Sequence, residues 1–330
     1  MKMEDKIIKI REHFYSTNLS KTDFYNSFFE MYGYQNAESL RKFMIKKNIT
    51  SKDRSAQEIN KIIPPVVANY NLETLDNFGI QESIGKEYLS AKLPPHLKKI
   101  GILSDIHFPY HDLTALTCAI RHLKEQEIDC LYLNGDVQDF FSISRHETSK
   151  DARNLSLEVD MNRDFLQKLR DIFRTIPIYY KLGNHENRFA RMLNNEAEEF
   201  AQLHDLQFNI FFRLDKLGIT MIEDWQGMEM GDLLVLHGHE LYGGGGVNPS
   251  QNLFNKTICN TLIGHVHRTS ATQKKTGFKE FINTYSTGCL TLLSPKYMPF
   301  SMHNHGFAIV EIENGKSKVN NIQIINGKIL

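Results

Sequence analysis

Five stretches of the 330-residue chain place carboxylate, amide and imidazole side chains directly after short apolar runs. Asp105-Ile106-His107 follows the run 100–103, Gly135-Asp136-x-x-Asp139 follows 130–133, and Gly183-Asn184-His185-Glu186 follows 176–182. His237-Gly238-His239 follows 233–236, and Gly264-His265-Val266-His267 follows 261–263. Imidazole nitrogens, carboxylates and amide oxygens are the donors that suit Mn, Fe, Zn or Ni. The 14 histidines are enough to build such a centre where several converge. Any one of them alone reads as a satisfied structural histidine, whereas five ordered clusters at the ends of apolar runs read as a metal centre. Cys118, Cys130, Cys259 and Cys289 include no C-x-x-C pair, which speaks against a thiolate zinc site and a disulfide framework and fits a reducing, cytoplasmic setting.

Such clusters need a scaffold that brings distant strand ends together. From Lys98 onward apolar runs alternate with amphipathic helices: one capped by Asp112 with Leu113, Leu116, Ile120 and Leu123 on its apolar side, one over 159–173, and one through Phe189, Leu193, Phe200 and Leu203. This β-α-β-α-β order predicts strands covered by helices, with ligands gathered at the carboxyl ends of the strands. Beyond Leu214 strands dominate, at 219–222, 233–236, 261–263, 281–285 and 307–312. Upstream, residues 1–60 read as three short helices, stacking Ile7, Ile10 and Phe14, then, after the cap Ser20, Phe24, Phe28 and Met31 up to Gly33, then Ala37, Leu40 and Met44. Arg41, Lys42, Lys46, Lys47, Lys52 and Arg54 face only Glu38 and Asp53. That basic side is similar to a helix-turn-helix module, and a solvated face on a lid or dimer contact is the commoner meaning of such a pattern. Residues 61–97, broken by Pro64-Pro65 and Pro94-Pro95, read as a connector, and 243–246 as a mobile glycine loop. Lys+Arg and Asp+Glu number 39 each, so any surface for a polyanion is local. No apolar run reaches the ~18 residues of a membrane span, and residues 1–14 lack a signal-peptide core.

Taken together, the five clusters resemble the calcineurin-like metallophosphoesterase superfamily over roughly residues 98–312. The resemblance implies an α/β fold, a sandwich of two mixed β-sheets flanked by helices over 98–330, carrying a small helical N-terminal domain. It also implies two divalent ions, Mn first among Mn, Fe, Zn and Ni, which at about 3.5–4 Å apart clamp an in-line displacement at phosphorus. By similarity, Asp136 bridges the ions, Asp105, His107 and His267 complete one site, and Asn184, His237 and His265 the other. Water bound between the ions is then the nucleophile, His185 the general acid and Asp139 the carboxylate that orients it.

One departure stands out: Asp139 is followed by Phe140-Phe141, where the protein phosphatase branch has Arg-Gly. Arg145, His146 and Arg188 are candidates to grip phosphate in its place, surface pairing with Glu147 or Glu186 being the alternative. His239 is read as facing substrate or supporting the ligands. Phe108, Tyr110, Phe140 and Phe141 flank the metal loops, where core packing outweighs base stacking. The expected activity is a phosphodiesterase on DNA, RNA or a nucleotide, ahead of a phosphomonoesterase on proteins or small metabolites. A chain that binds metal without catalysis comes last.

Overall fold

The computed structural model describes residues 3–17, 19–49, 87, 89–144, 154–241, 246–277, 280–294 and 300–330. Two compact units divide the chain, Met1–Gly85 and Lys86–Leu330. Among its described residues the smaller holds three helices, α1 (Met3–Ser16), α2 (Lys21–Phe28) and α3 (Ala37–Lys46). Ser20 and Asn36 cap the second and third by accepting the N–H groups of Asp23 and Ser39. Helices this short hold through packing, and Ile10, Phe14, Phe24, Leu40 and Met44 are fully enclosed between them. Met31 does not join this core: α2 ends at Phe28, and Met31 lies 67% exposed in the turn that follows. Arg41, Lys42 and Lys46 are exposed on α3, with Arg41 on Glu38 at 2.7 Å. Lys52, Arg54 and connector residues 61–86 lie outside the described residues.

The larger unit is built on two mixed sheets. One runs β13 (Lys328–Ile329), β12 (Lys316–Ile325), β11 (His305–Glu313), β2 (Lys99–Leu103), β3 (Cys130–Asn134), β4 (Ile178–Lys181) and β5 (Ile219–Ile222). The other runs β1 (Ala91–Lys92), β6 (Met228–Met230), β7 (Leu233–Leu236), β8 (Thr261–Ile263), β10 (Phe281–Ser286) and β9 (Ser270–Lys275). Strands β2 to β5 are mutually parallel, with Leu103 beside Leu133 and Asn134 beside Lys181. The loops that follow them therefore leave the sheet at one edge. In the second sheet β7 and β8 are parallel, with Leu236 beside Ile263.

Alternation along the strands makes two cores. Ile100, Ile102, Cys130 and Tyr132 face the second sheet and pack with Val235, Leu262, Ala308 and Val310. Leu131, Leu133, Phe307 and Ile309 face the opposite way, onto α4 (Leu113–Glu125) and α5 (Leu155–Ile172) through Ala119, Leu123, Leu166 and Leu169. A Cβ at Gly101 would sit 2.8 Å from Leu123, so glycine lets α4 approach β2.

Several elements differ from the sequence reading. The helix expected through 189–203 breaks at Ala197 (φ −150°), leaving α6 (Asn187–Glu196) and a single turn, Glu198–Ala201. Phe200 and Leu203 are consequently half-exposed, as is Leu113 in the first turn of α4 at 70%. Ala91–Lys92, in the stretch read as connector, pairs in parallel with Met228–Glu229. Strands β9 and β12 alternate polar residues on a half-buried edge, and α7 (Pro249–Thr257) starts from an Asn248 cap; neither carries an apolar run to announce it.

Phe24 is fully buried against Phe14 and Phe28, with ring centroids 5.1 and 5.0 Å away. We expect Phe24→Ala to cost about 3–5 kcal/mol within this unit. Amide hydrogen exchange in α1–α3 should accelerate accordingly, and unchanged protection there would contradict the core described.

Candidate metal centre

The loops after β2, β3 and β8 turn sharply enough to put Phe140 and five polar residues in the left-handed region, the five being Asp105, His107, Asp136, His265 and His267, with φ between 51° and 61°. Each such residue costs about 1–3 kcal/mol and persists only where its surroundings over-determine it. All five carry donor side chains aimed at one place. In the first group His267 Nε2 lies 3.1 Å from Asp105 Oδ1 and 3.2 Å from His107 Nε2. In the second, His237 Nε2 lies 3.2 Å from both Asp136 Oδ2 and Asn184 Oδ1, and His265 completes the group with Asp136 and His237. Asp136 Oδ2 is also 3.8 Å from His107 Nε2, so this carboxylate stands between the two groups. Asp105, His107, Asp136 and His237 are buried.

The two carboxylates would protonate if burial acted alone, but His267 facing Asp105, and His237 and His185 facing Asp136, outweigh it and keep both well below the usual range. Against its own burial, His237 is lifted to about 10 by Asp136. His265 goes the other way, to about 4, through burial and the nearby His237. Two buried carboxylates, an amide oxygen and converging imidazole nitrogens form a donor set that fits divalent cations of the Mn-to-Zn range. Both groups are able to hold a metal ion.

A third cluster joins His107, Asp139 and His185. The Asp139 carboxylate, read as orienting His185, lies 3.5 Å from His185 Nδ1 and 3.0 Å from His107 Nδ1, so it faces both imidazoles. His185 Nδ1 meets the Asp139 carbonyl at 2.9 Å and so donates to it, while its backbone N–H donates to Asp136 Oδ1. Burial would lower the His185 pKa; Asp136 and Asp139 overcome that and raise it. Arg188 does not pair with Glu186. Its guanidinium donates to the Asp139 carbonyl at 2.9 Å and approaches His185 Nε2 at 3.1 Å. His239 Nε2 sits on Asp224 at 2.6 Å. Phe108 and Phe140 are core residues, while Tyr110 and Phe141 form a half-buried edge-on pair. Arg145, His146, Tyr242 and 243–245 lie outside the described residues.

Sequence reasoning missed the side chains that hold the loops. Glu186, 2% exposed, accepts the N–H groups of Asp136, Val137, Gln138 and Gly183 and the Tyr180 hydroxyl. Glu240 accepts from the N–H groups of His237 and Gly238 and pairs with the fully buried Lys181 at 3.1 Å. The Asn134 carbonyl takes His237 Nδ1 at 2.7 Å, turning Nε2 to the centre. A side chain at Gly183 would overlap Asp136 Oδ1, and one at Gly264 would overlap Ser104 and Asp105. The one legible signal was position, since both glutamates directly follow a cluster histidine.

A family model described as calcineurin-like phosphoesterase matches residues 98–282. The Gene 54 protein of Mycobacterium phage L5 is 23% identical over 249 residues, spanning 70% of this chain and 95% of its own. Among solved structures, wild-type Vps29 of Entamoeba histolytica complexed with Zn+2 is 12% identical, covering 70% of this chain and 96% of that one, with TM-score 0.37. Yfce, a phosphoesterase from E. coli, is 15% identical over the same shares, with TM-score 0.36. Among the described residues no helix is long and apolar enough to cross a membrane.

Removing the Glu186 carboxylate orphans four buried N–H groups at about 1–3 kcal/mol each. Glu186→Ala should lower both the thermal midpoint and the Mn bound per chain, measured by elemental analysis, and wild-type metal content would refute its organising role. Burial would raise the Glu240 carboxyl, but Lys181, His239 and His237 overcome it and hold it at about 2, against 4.5 ordinarily. The stability this confers is complete above pH 4.5 and is lost as pH falls toward 2. Glu240→Gln should therefore remove about 3 kcal/mol of acid-dependent stability. The readout is a flatter plot of denaturation midpoint against pH in that window; parallel plots for the two proteins would count against it.

Proposed function

This chain belongs to the calcineurin-like phosphoesterase family, and from that premise we propose that it is a dinuclear metal-dependent phosphodiesterase acting on nucleic acid or a nucleotide. The observation that carries the two-ion reading is the Asp136 carboxylate, standing 3.2 Å from His237 Nε2 on one side and 3.8 Å from His107 Nε2 on the other. Asp105, His107 and His267 would hold one ion, Asn184, His237 and His265 the other, with Asp136 shared and Mn the first expectation. Ions bound there supply charge that polarises a phosphoryl oxygen and lowers the pKa of an attacking water.

The protein's own groups do the rest. His185 keeps its Nδ1 proton on the Asp139 carbonyl, so the proton it delivers to the departing alcohol is a second one, taken up from solvent at Nε2, 3.8 Å from Asp136 Oδ2, once Arg188 no longer donates to that nitrogen. The Arg188 fork, braced by Asp139, lies beside that nitrogen and suits a non-bridging phosphoryl oxygen. Docking of phosphate would draw Arg188 away from Nε2 and free it for proton transfer. His239, held by Asp224, supports the second donor group. The exposed Arg41, Lys42 and Lys46 support a polyanionic substrate. The described cysteines are all unpaired, in keeping with a reducing, cytoplasmic setting.

The test is Mn²⁺-supported hydrolysis of bis-p-nitrophenyl phosphate beside its monoester, followed by oligonucleotides and cyclic nucleotides. Turnover of the monoester alone would replace the diesterase with a phosphomonoesterase. Loss of the general acid should matter in proportion to the basicity of the leaving group. His185→Ala is thus expected to lower kcat about 10²–10⁴-fold on dinucleotides and far less on the p-nitrophenyl diester. Equal losses on both would remove His185 from that role.

A further inference from the structure

His303 stands beside the first donor group without belonging to it. Its ring meets that of His267 edge-on, with centroids 4.6 Å apart, and among the described residues no cluster able to hold an ion includes it. The ring ends a succession of four imidazoles: His185 to His107 at 4.4 Å, His107 to His267 at 5.0 Å, then His303. The two inner rings are donors of the first group, and the outer two flank them. Backbone and amide contacts of the next residue fix its place. Asn304 donates its N–H to the His267 carbonyl at 3.0 Å, accepts the Thr269 N–H on Oδ1 at 2.8 Å and gives Nδ2 to Thr269 Oγ1 at 2.7 Å. Its own carbonyl takes the Cys289 N–H at 3.0 Å. Residue 303 is thereby stitched to the turn that carries His267.

The ring itself is not tied down in this way. His303 Nδ1 is enclosed and has no hydrogen-bond partner among the described residues. His305, two residues on, shows the structural alternative: it is buried, and its Nε2 donates to the Thr291 carbonyl at 3.0 Å. Buried polar atoms are nearly always satisfied, so a nitrogen left open beside metal donors calls for a visiting acceptor. The residue is half-buried and follows Met302, 73% exposed, which leaves this end of the row open to such a group. We propose that His303 is a phosphate-binding residue, donating Nδ1–H to a non-bridging phosphoryl oxygen of an ester drawn to the first donor group. This deepening rests on the two-ion phosphoester reading above and not on the nucleotide preference. Arg188 would hold an oxygen at the His185 end of the row and His303 one at the His267 end. A neutral imidazole donor suits the second place, because it grips an anionic oxygen without adding a positive charge against the cations.

The probe is inorganic phosphate, titrated calorimetrically into the full-length, Mn²⁺-loaded protein. A hydrogen bond to a charged oxygen is equivalent to about 10- to 150-fold in affinity, so His303→Ala should weaken phosphate binding by that factor. Mn per chain and the thermal midpoint should stay at the wild-type values, and KM for bis-p-nitrophenyl phosphate should rise while kcat moves far less. His303→Asn, whose amide places an N–H where Nδ1 stands, should recover most of the affinity. Unchanged phosphate affinity in His303→Ala would overturn the contact. Loss of Mn from that variant would overturn it too, by making the ring a support of the metal. An equal loss of affinity in Met302→Ala would assign the effect to the segment and not to the ring. Should His303→Ala not fold, His303→Gln, whose amide does not match the Nδ1 position, replaces it, and equal affinities in the Gln and Asn variants would overturn the contact. A wild type that holds Mn but neither binds phosphate nor turns over any ester would overturn the phosphoester reading itself.

Discussion

The centre depends on one buried carboxylate that touches no substrate. Glu186 gathers four backbone N–H groups, three from the loop after β3 and one from the loop after β4, and a tyrosine hydroxyl besides. A charge so enclosed is tolerated only when its lone pairs are satisfied, and those donors satisfy them. In return the two loops are clasped to each other, which fixes Asp136 relative to Asn184 and His185. Glu240 does the same for the H-G-H turn, with Lys181 as its counter-charge.

Sheet geometry makes this clasp effective. Parallel strands in register release their loops at one edge, and left-handed residues at the first positions of those loops fold the side chains back over the sheet instead of letting them run on. Glycines stand where a Cβ would displace a donor, at Gly183 beside Asp136 and Gly264 beside Asp105. The strain is local, and the clasps and the dense cores beneath it offset its cost.

The donor set was legible because metal chemistry restricts residue type so tightly: Asp105, His107, Asp136, Asn184, His237, His265 and His267 could be read at strand ends before any coordinates, and the structure brings all seven to one place. The supporting residues were opaque for the opposite reason. An acid such as Glu186 or Asp224 next to a polar loop is the ordinary composition of a surface, and only folding shows that it is buried or shared. Arg188 was visible as a guanidinium near the centre, but not its attachment to Asp139 in place of Glu186. Strands β9 and β12 escaped because half-buried edges have no apolar run, and the break at Ala197 because an amphipathic period continues through it in sequence while the backbone does not.

The two sheets contribute unequal shares of the donors. Asp105, His107, Asp136 and Asn184 hang from the seven-stranded sheet, whereas His237, His265 and His267 hang from the six-stranded one. Each of the two donor groups draws on both. Cations seated there would tie the two sheets of the sandwich together at that end. Occupancy then becomes a mechanical property as well as a chemical one: a stripped protein would splay at that rim and yield sooner to heat or protease, and rebinding would close it again.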